Sequence, residues 1–524
     1  MIRVRQVKIP ITLDNDDFIY KKLSKMLKCK ITDYRIIKKS IDARDKNNIL
    51  YIYEFDVSVN NENLVIKKNK RRDIFISEFE DYKISVTGSI LLKDRPIIVG
   101  SGPAGLFCAY MLSYLGFRPI VLERGEKIED RVNTVSEFFS SNKLNLNSNI
   151  QFGEGGAGTF SDGKLNTLTK DSFNRQKKVF EIFVENGAPE EIMYLNKPHI
   201  GTDILRKVII NIRNKIISMG GEFRYNSCVT DFIINDNKIS GVIVNDSYKL
   251  KSNVVVLAIG HSARDTFYKL NERGVLMRPK NFAVGVRIEH PRVMIDESQY
   301  GDSYKMLGSS SYKLTYKTLS GRSVYSFCMC PGGFVVNASS ENNMLCVNGM
   351  SNYLRDEVNS NSALVVNVTT DDFNNQLFGG LEFQRELEKK AYQEGCGLIP
   401  IQLYDDFVNN KTTEMLGEVI PNTKGGYSFA NLNNIFPKYI CDALQEAIPA
   451  FGKRIDGFDR GDAVLLGVES RTSSPIVIVR DDFFLSSIKG LYPCGEGAGY
   501  AGGITTAAID GIKICEAIAS LYKV

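Results

Sequence analysis

Apolar and polar positions change period several times along the chain. Residues 96–99 are a short, wholly apolar run leading into Gly100-Ser101-Gly102-Pro103-Ala104-Gly105. An apolar stretch of helical length follows, then a second short apolar run, 119–122, ending on Glu123. Short apolar runs bounded by glycine read as buried strands, and the longer stretch between them reads as a helix. Residues 253–259 are another continuous apolar run, ending on Gly260, as expected of a strand covered on both faces.

Elsewhere the period shortens to two. Strand-like pieces at 282–288, 323–329, 334–337, 344–347 and 363–368 are separated by Gly, Ser and Asn, which predicts a largely antiparallel sheet. Residues 382–393 and 439–448 carry helical spacing, and Pro449 is expected to stop the second helix. Strands are predicted again at 462–469 and 476–479, and a last helix at 504–521. Ahead of all this, 4–11, 16–29, 32–41 and 50–59 read as strand, helix, strand, strand. The predicted fold is α/β. It has a Rossmann-like domain in two pieces (94–280 and 456–524), an inserted, mainly antiparallel β plus helical domain (281–455), and a small α+β domain (1–93).

Composition narrows the class. The chain has 524 residues, 43% hydrophobic and 24% charged, in the range of globular proteins. No apolar run is long enough to span a bilayer, and the first residues have no apolar signal core. Ten scattered cysteines fit reduced thiols better than a disulfide framework. A cytoplasmic location is the expectation. Cys328-Met329-Cys330 has no second pair at metal-ligand spacing, so it reads as buried thiols, and no metal site is expected. Charge is uneven. Residues 1–93 hold 20 Lys and Arg against 13 Asp and Glu, in a chain whose net charge is +5. The excess lies in 21–30 and 67–72. Such runs read first as solvated loops; the alternative is a nucleic-acid surface.

The 95–123 unit has the parts of a dinucleotide fingerprint in their required context. Gly100 permits the strand-to-helix turn, Gly102 lets backbone approach a pyrophosphate, and Gly105 lets helix and strand pack closely. Glu123 stands 23 residues after Gly100, near the spacing of a ribose-binding carboxylate. A second unusual segment, 151–165, has five glycines in fifteen residues, including Gly155 and Gly156. It reads as a loop presenting backbone to a flat ligand rather than as a helix or strand.

The fingerprint, the strand ending at Gly260 and a late Gly495-Glu496 occur in the order seen in glutathione-reductase-like FAD proteins. The closer resemblance is to the FAD-dependent dehydrogenases, also labelled NAD(P)/FAD-dependent oxidoreductases, of unassigned substrate. It is carried by QFGEGGAGTFSDGKLN (151–166), KPHIGTDILRKVI (197–209), SFCMCPGGFVVNASSE (326–341), GVESRTSSPIV (467–477) and YPCGEGAGYAGGITTAAIDGI (492–512).

The resemblance implies FAD. Gly100, Ser101, Gly102, Pro103, Ala104 and Gly105 would wrap its pyrophosphate, and Glu123 and Arg124 would hold the adenosine. Val229 would present backbone to the adenine, and Gly260 would pass near the cofactor. Glu496 stands where Asp usually meets the ribityl chain. Gly502, Gly503 and Ile504 would set a helix N-terminus near the flavin, with Gly155 and Gly156 in the loop beside it.

The implied activity is an FAD-dependent oxidoreductase acting on a small organic molecule. Arg471 and His290 are the first candidates for substrate or proton handling, followed by Arg287, Glu469, His199 and His261. Cys494 precedes Gly495 but has no CxxC partner, so it reads as a buried small residue. Only one intact dinucleotide fingerprint is present, so NAD(P)H is expected, if at all, as a transient electron donor. Two other readings stand beside this one. One is an RNA-modifying flavoprotein that docks nucleic acid through residues 1–93; the other is a non-catalytic FAD-binding regulator.

Overall fold

The computed structural model describes residues 1–69, 71–78, 81–167 and 171–524. A five-stranded parallel sheet lies at the centre. Its order is Leu491–Pro493, Val255–Leu257, Ile97–Val99, Ile120–Leu122, Glu222–Arg224. Alternate side chains serve different cores. Ile98, Val121 and Val256 pack beneath the helices Pro103–Tyr114, Thr202–Ser218 and Ile504–Leu521. Ile97, Val99, Ile120, Leu122, Val255 and Leu257 pack against the antiparallel strands Val229–Asn235 and Lys238–Val244 and the helix Arg264–Glu272. Both faces are covered, which is why these strands read as unbroken apolar runs. The strand Ile97–Val99 lies mid-sheet, where a crevice opens at the carboxyl ends of the strands.

The inserted domain is a seven-stranded sheet. Its order is Thr315–Lys317, Ser323–Cys330, Asn359–Val368, Phe282–Pro291, Val464–Glu469, Ile399–Leu403, Tyr427–Phe429. All neighbours are antiparallel except the last pair. Two expectations are corrected here. The strand Val464–Glu469 pairs with Phe282–Pro291, so the inserted domain runs well past residue 455. All six of its residues are buried, and a strand covered on both faces looks the same in either kind of sheet. The helix Lys438–Gly452 also continues through Pro449. Its buried face, with Ile440, Leu444, Ile448 and Phe451, spans the proline, so packing outweighs the local penalty.

The N-terminal residues form an antiparallel sheet in the order Asp33–Asp42, Leu50–Ser58, Ile2–Pro10, Ile74–Ile76, packed on the helix Asp16–Leu27. The short helix Glu62–Lys68 and the strand Ile74–Ile76 were not expected from the sequence. They use the second basic run: Lys67 and Lys68 end the helix, and Arg71 pairs with Asp73 at the strand's start. Lys70 lies outside the described residues. This domain is tied to the rest of the chain where Lys39 N–H donates to Tyr194 O (2.7 Å) and Asn196 N–H donates to Lys39 O (2.9 Å). Among the described residues, no helix is long and apolar enough to cross a membrane.

Candidate active site

A cleft of ≈ 370 Å³ runs along the carboxyl ends of the parallel strands, between two glycine-rich loops. The first is the turn after Ile97–Val99. Gly100 has φ +99°, and a Cβ there would stand 2.3 Å from Ala258 O, so the turn is closed to other residues. Gly105 lies behind the turn. A Cβ on it would meet Gly100 O at 2.0 Å, so it serves helix packing and does not line the cleft. The second loop faces the first. A Cβ on Gly156 would come within 3.0 Å of Gly102 Cα.

Arg131 holds that second loop. It is fully buried and donates to four backbone carbonyls: Asn149 (2.9 Å), Ile150 (2.9 Å), Glu154 (2.6 Å) and Gly156 (3.0 Å). Burial pushes its guanidinium down to about 10. Glu154, buried beside it, accepts from Ile128 N–H, Arg213 and the Tyr225 hydroxyl. Gly155 lies behind the loop against Thr159 and Ile209 rather than in the cleft.

Glu123 lines the cleft, and its carboxylate also ties the surrounding loops together. Ser101 donates both its N–H (2.9 Å) and its hydroxyl (2.7 Å) to one carboxylate oxygen. Gly125 and Gly153 each donate N–H at 3.0 Å to the other. Four donors fill the four acceptor positions of a carboxylate. Glu123 therefore binds three loops together, at 5% exposure. Arg124 lines the cleft near Val229 and Ser227, with its guanidinium paired to Asp265 (2.9 Å) and lying 4.3 Å from the centre of the Phe152 ring.

Two helix N-termini open on the cleft without side-chain caps: Gly102 before Pro103–Tyr114, and Gly503 before Ile504–Leu521. Uncapped N-terminal amides are unsatisfied donors carrying a partial positive charge, suited to phosphate or to a ring that gains negative charge. His261 offers a further polar atom that a ligand could meet. Its Nδ1 is 3.3 Å from Glu496 Oε1, while its buried Nε2 has no partner among the described residues. Gly260, Glu496, Gly502 and Ile504 line the cleft with it. Gly495 does not; its N–H donates to Asp510 (2.7 Å), which Arg480 also holds. These donors, and the close backbone approach at Gly102 and Gly156, fit a dinucleotide cofactor.

The far end of the cleft is walled by the inserted sheet. Phe327 and Cys328 come from Ser323–Cys330, where the register slips between Phe327 and Cys330 and Cys328 adopts φ +45°. A bulge of this kind re-aims side chains beside a site. Asn348, Glu469 and Arg471 complete the wall, opposite Ser161–Lys164 and Asn166.

Both first-choice catalytic residues make contacts within the protein. Arg471 gives Nε (2.9 Å) and Nη2 (2.8 Å) to Glu388, and Nη1 to Ser262 (3.0 Å) and Ser340 (2.6 Å). Glu388 is fully buried and also accepts from Arg264 and Ser470. The two arginines hold its carboxyl far below the usual range. Through these contacts Arg471, which also lines the cleft, joins the two domains. His290 does not line the cleft. It is buried with Nε2 2.7 Å from Phe458 O, and burial pushes it down to about 4, leaving it neutral. Arg287 is spent on Glu469 (3.0 Å), Asn361 (2.6 Å) and Cys328 O. His199 lies behind the wall, with Nε2 on Tyr353 O (2.9 Å). Cys494 lines the cleft as a buried thiol whose pKa burial raises well above normal.

Lys164 and Asn348 were not singled out in the sequence, and Cys328 was read there only as one of a pair of buried thiols. The one signal for Lys164 was its place at the end of the glycine-rich loop. That loop meets the KPHIGTD segment through a bridge between Lys164 and His199, and a Cβ on Gly201 would lie 2.2 Å from Tyr353 N.

Residues 281–472 match the family model described as FAD-dependent protein, C-terminal domain-like. Residues 1–58 match a domain of unknown function. An uncharacterized protein of Clostridium beijerinckii (strain ATCC 51743 / NCIMB 8052) is 44% identical over 526 residues, covering 98% of each chain. Solved structures align only loosely. CtdE in complex with FAD shows 11% identity over 82% of this chain and 84% of that one, with a TM-score of 0.33. L-proline dehydrogenase from P. horikoshii shows 11% identity over 82% and 94%, with a TM-score of 0.35. The matched domain agrees with the motifs in the cleft: the chain, together with its full-length relative, belongs to a family of FAD-dependent proteins.

Proposed function

We propose that the chain is an enzyme transferring electrons between bound FAD and a small organic substrate held at the Lys164–Asn348 end of the cleft. One observation carries this reading. A single cleft joins the two uncapped helix N-termini to a polar wall built by a different domain. When bound, FAD supplies the two-electron chemistry. The amides after Gly102 would receive the pyrophosphate. The N-terminus of Ile504–Leu521 would favour negative charge gained on reduction. Phe327 and Cys328 would exclude water from the reacting face, and Glu388 would keep Arg471 in place as part of the wall.

A nicotinamide donor would approach the flavin transiently, since no second fingerprint follows Gly260. The test is an absorption spectrum of the purified protein, followed by anaerobic mixing with NADH and NADPH. Bleaching of a bound flavin supports the reading with nicotinamide as donor. A flavin that stays oxidised with both removes nicotinamide. A colourless protein that cannot be reconstituted with FAD overturns the reading.

A further inference from the structure

The cations at the substrate end of the cleft are not balanced alike. Arg264, Arg385 and Arg471 share three acids, Glu341, Glu382 and Glu388, and Arg287 faces Glu469. Lys164 is placed differently. Its Nζ lies 3.2 Å from Asp162 and donates to Met329 O. Asp162 is already taken by Arg355, through Nε at 2.9 Å and through Nη2, and by the Ser351 hydroxyl. Among the described residues, neither Lys164 nor Arg355 has a second carboxylate within ion-pair distance. Two cations therefore share one acid, and one positive charge is left over at the cleft wall.

The neighbouring titratable groups do not cancel it. Lys197 is a third cation, pushed down by burial and by Arg355 and Lys164. His199 is pushed down by burial and by Arg355, which keeps it neutral. The Cys330 thiol is pushed up to about 11 by burial and stays protonated. Against burial, Asp162 holds the Lys164 ammonium above its usual range, so the wall keeps its surplus positive charge for an anionic partner. A neutral donor stands close by. Asn348 accepts from Arg287 and from Gly349 N–H through Oδ1, which leaves its amide N–H pair for a ligand.

We propose that Lys164, backed by Arg355, is the subsite for a carboxylate group of the substrate. One unit of unbalanced charge, one remaining lysine N–H and one amide suit a monoanionic carboxylate better than a phosphate dianion. The inference rests on the reading of the cleft as the oxidoreductase site only for naming the ligand a substrate.

The test is calorimetric titration of the full-length protein with acetate, butyrate and benzoate, each against its amide, and with inorganic phosphate. FAD content is read separately from the absorption spectrum. At least one carboxylate should bind saturably and ten or more times tighter than its amide. Lys164→Met should weaken that binding at least tenfold, and Lys164→Arg should keep it within about threefold.

The proposal is overturned if no carboxylate outbinds its amide, if phosphate outbinds all of them, or if Lys164→Met binds unchanged. It is also overturned if Lys164→Met lowers only the flavin midpoint potential, since the charge would then serve the ring. A protein that holds FAD but shows no carboxylate preference sinks this subsite alone. A protein that cannot hold FAD sinks the cofactor reading, and the titration still decides the subsite.

Discussion

Arg131 offers the sharpest test of how the cofactor loop is held. Replacing it with Met keeps the aliphatic stem and removes four charge-assisted hydrogen bonds to the carbonyls of Asn149, Ile150, Glu154 and Gly156. Bonds to a charged group contribute about 1.5–3 kcal/mol each, so the gross loss starts near ~6 kcal/mol. Against this stands the cost of burying the guanidinium, whose pKa falls from 12.5 to about 10. That cost, on the order of 3 kcal/mol, is relieved by the substitution. The net loss is therefore about 3 kcal/mol or more, and it is concentrated on the segment facing Gly102. Loss of loop order on that scale should weaken FAD binding roughly 100-fold, at about 1.4 kcal/mol per factor of ten. The assay is FAD titration of flavin-free Arg131→Met by fluorescence quenching, with urea unfolding of the same protein. FAD affinity within threefold of the parent chain would refute the loop-staple reasoning, whatever the unfolding data show.

Three further outcomes follow from the same geometry. Gly102→Ala should leave the flavin-free protein's stability nearly unchanged, because the added Cβ meets only Gly156 Cα at 3.8 Å and the backbone φ of −68° is ordinary; FAD affinity should nonetheless fall tenfold or more, and equal affinity would show that the cofactor does not approach there. His290 is held near 4 in the fold against 6.5 when unfolded, so its contribution is present above pH 6.5 and lost as pH falls towards 4. His290→Asn should remove about 2 kcal/mol of that acid-side loss between pH 7 and pH 4.5, read from unfolding curves, without moving the pH dependence of turnover. Glu388→Ala leaves Arg264 and Arg471 short of a buried partner and should cost about 3–5 kcal/mol in thermal or urea unfolding.

Much of the fold was legible because local and global signals agree in the dinucleotide unit. The run Ile97–Val99, the turn at Gly100 and the apolar helix from Pro103 each have one ready interpretation. The inserted sheet was less so. Val464–Glu469 is buried along its whole length, so it lacks the alternation that marks a half-exposed strand. Val464–Glu469 could be assigned to its sheet only through its partner strand, more than 170 residues earlier. The helix through Pro449 shows the same limit, since a local stop signal lost to an apolar face that continues to Phe451.

The site was harder to read than the fold, for a reason visible in its charges. A sequence shows which residues carry charge but not which charges are already spent. Arg471 and His290 looked chemically able, and the structure commits both: Arg471 to Glu388, Ser262 and Ser340, His290 to Phe458 O. Glu123 looked like a ligand acceptor, and its carboxylate also accepts from Ser101, Gly125 and Gly153. Lys164 looked like one lysine among many. What distinguishes it is a shortage, since its acid is shared with an arginine 191 positions away in the chain. A shared acid can be seen only once Asp162 and Arg355 are in contact. The residues most able to meet a substrate here are therefore those whose partners are too few, and no spacing rule reports that number.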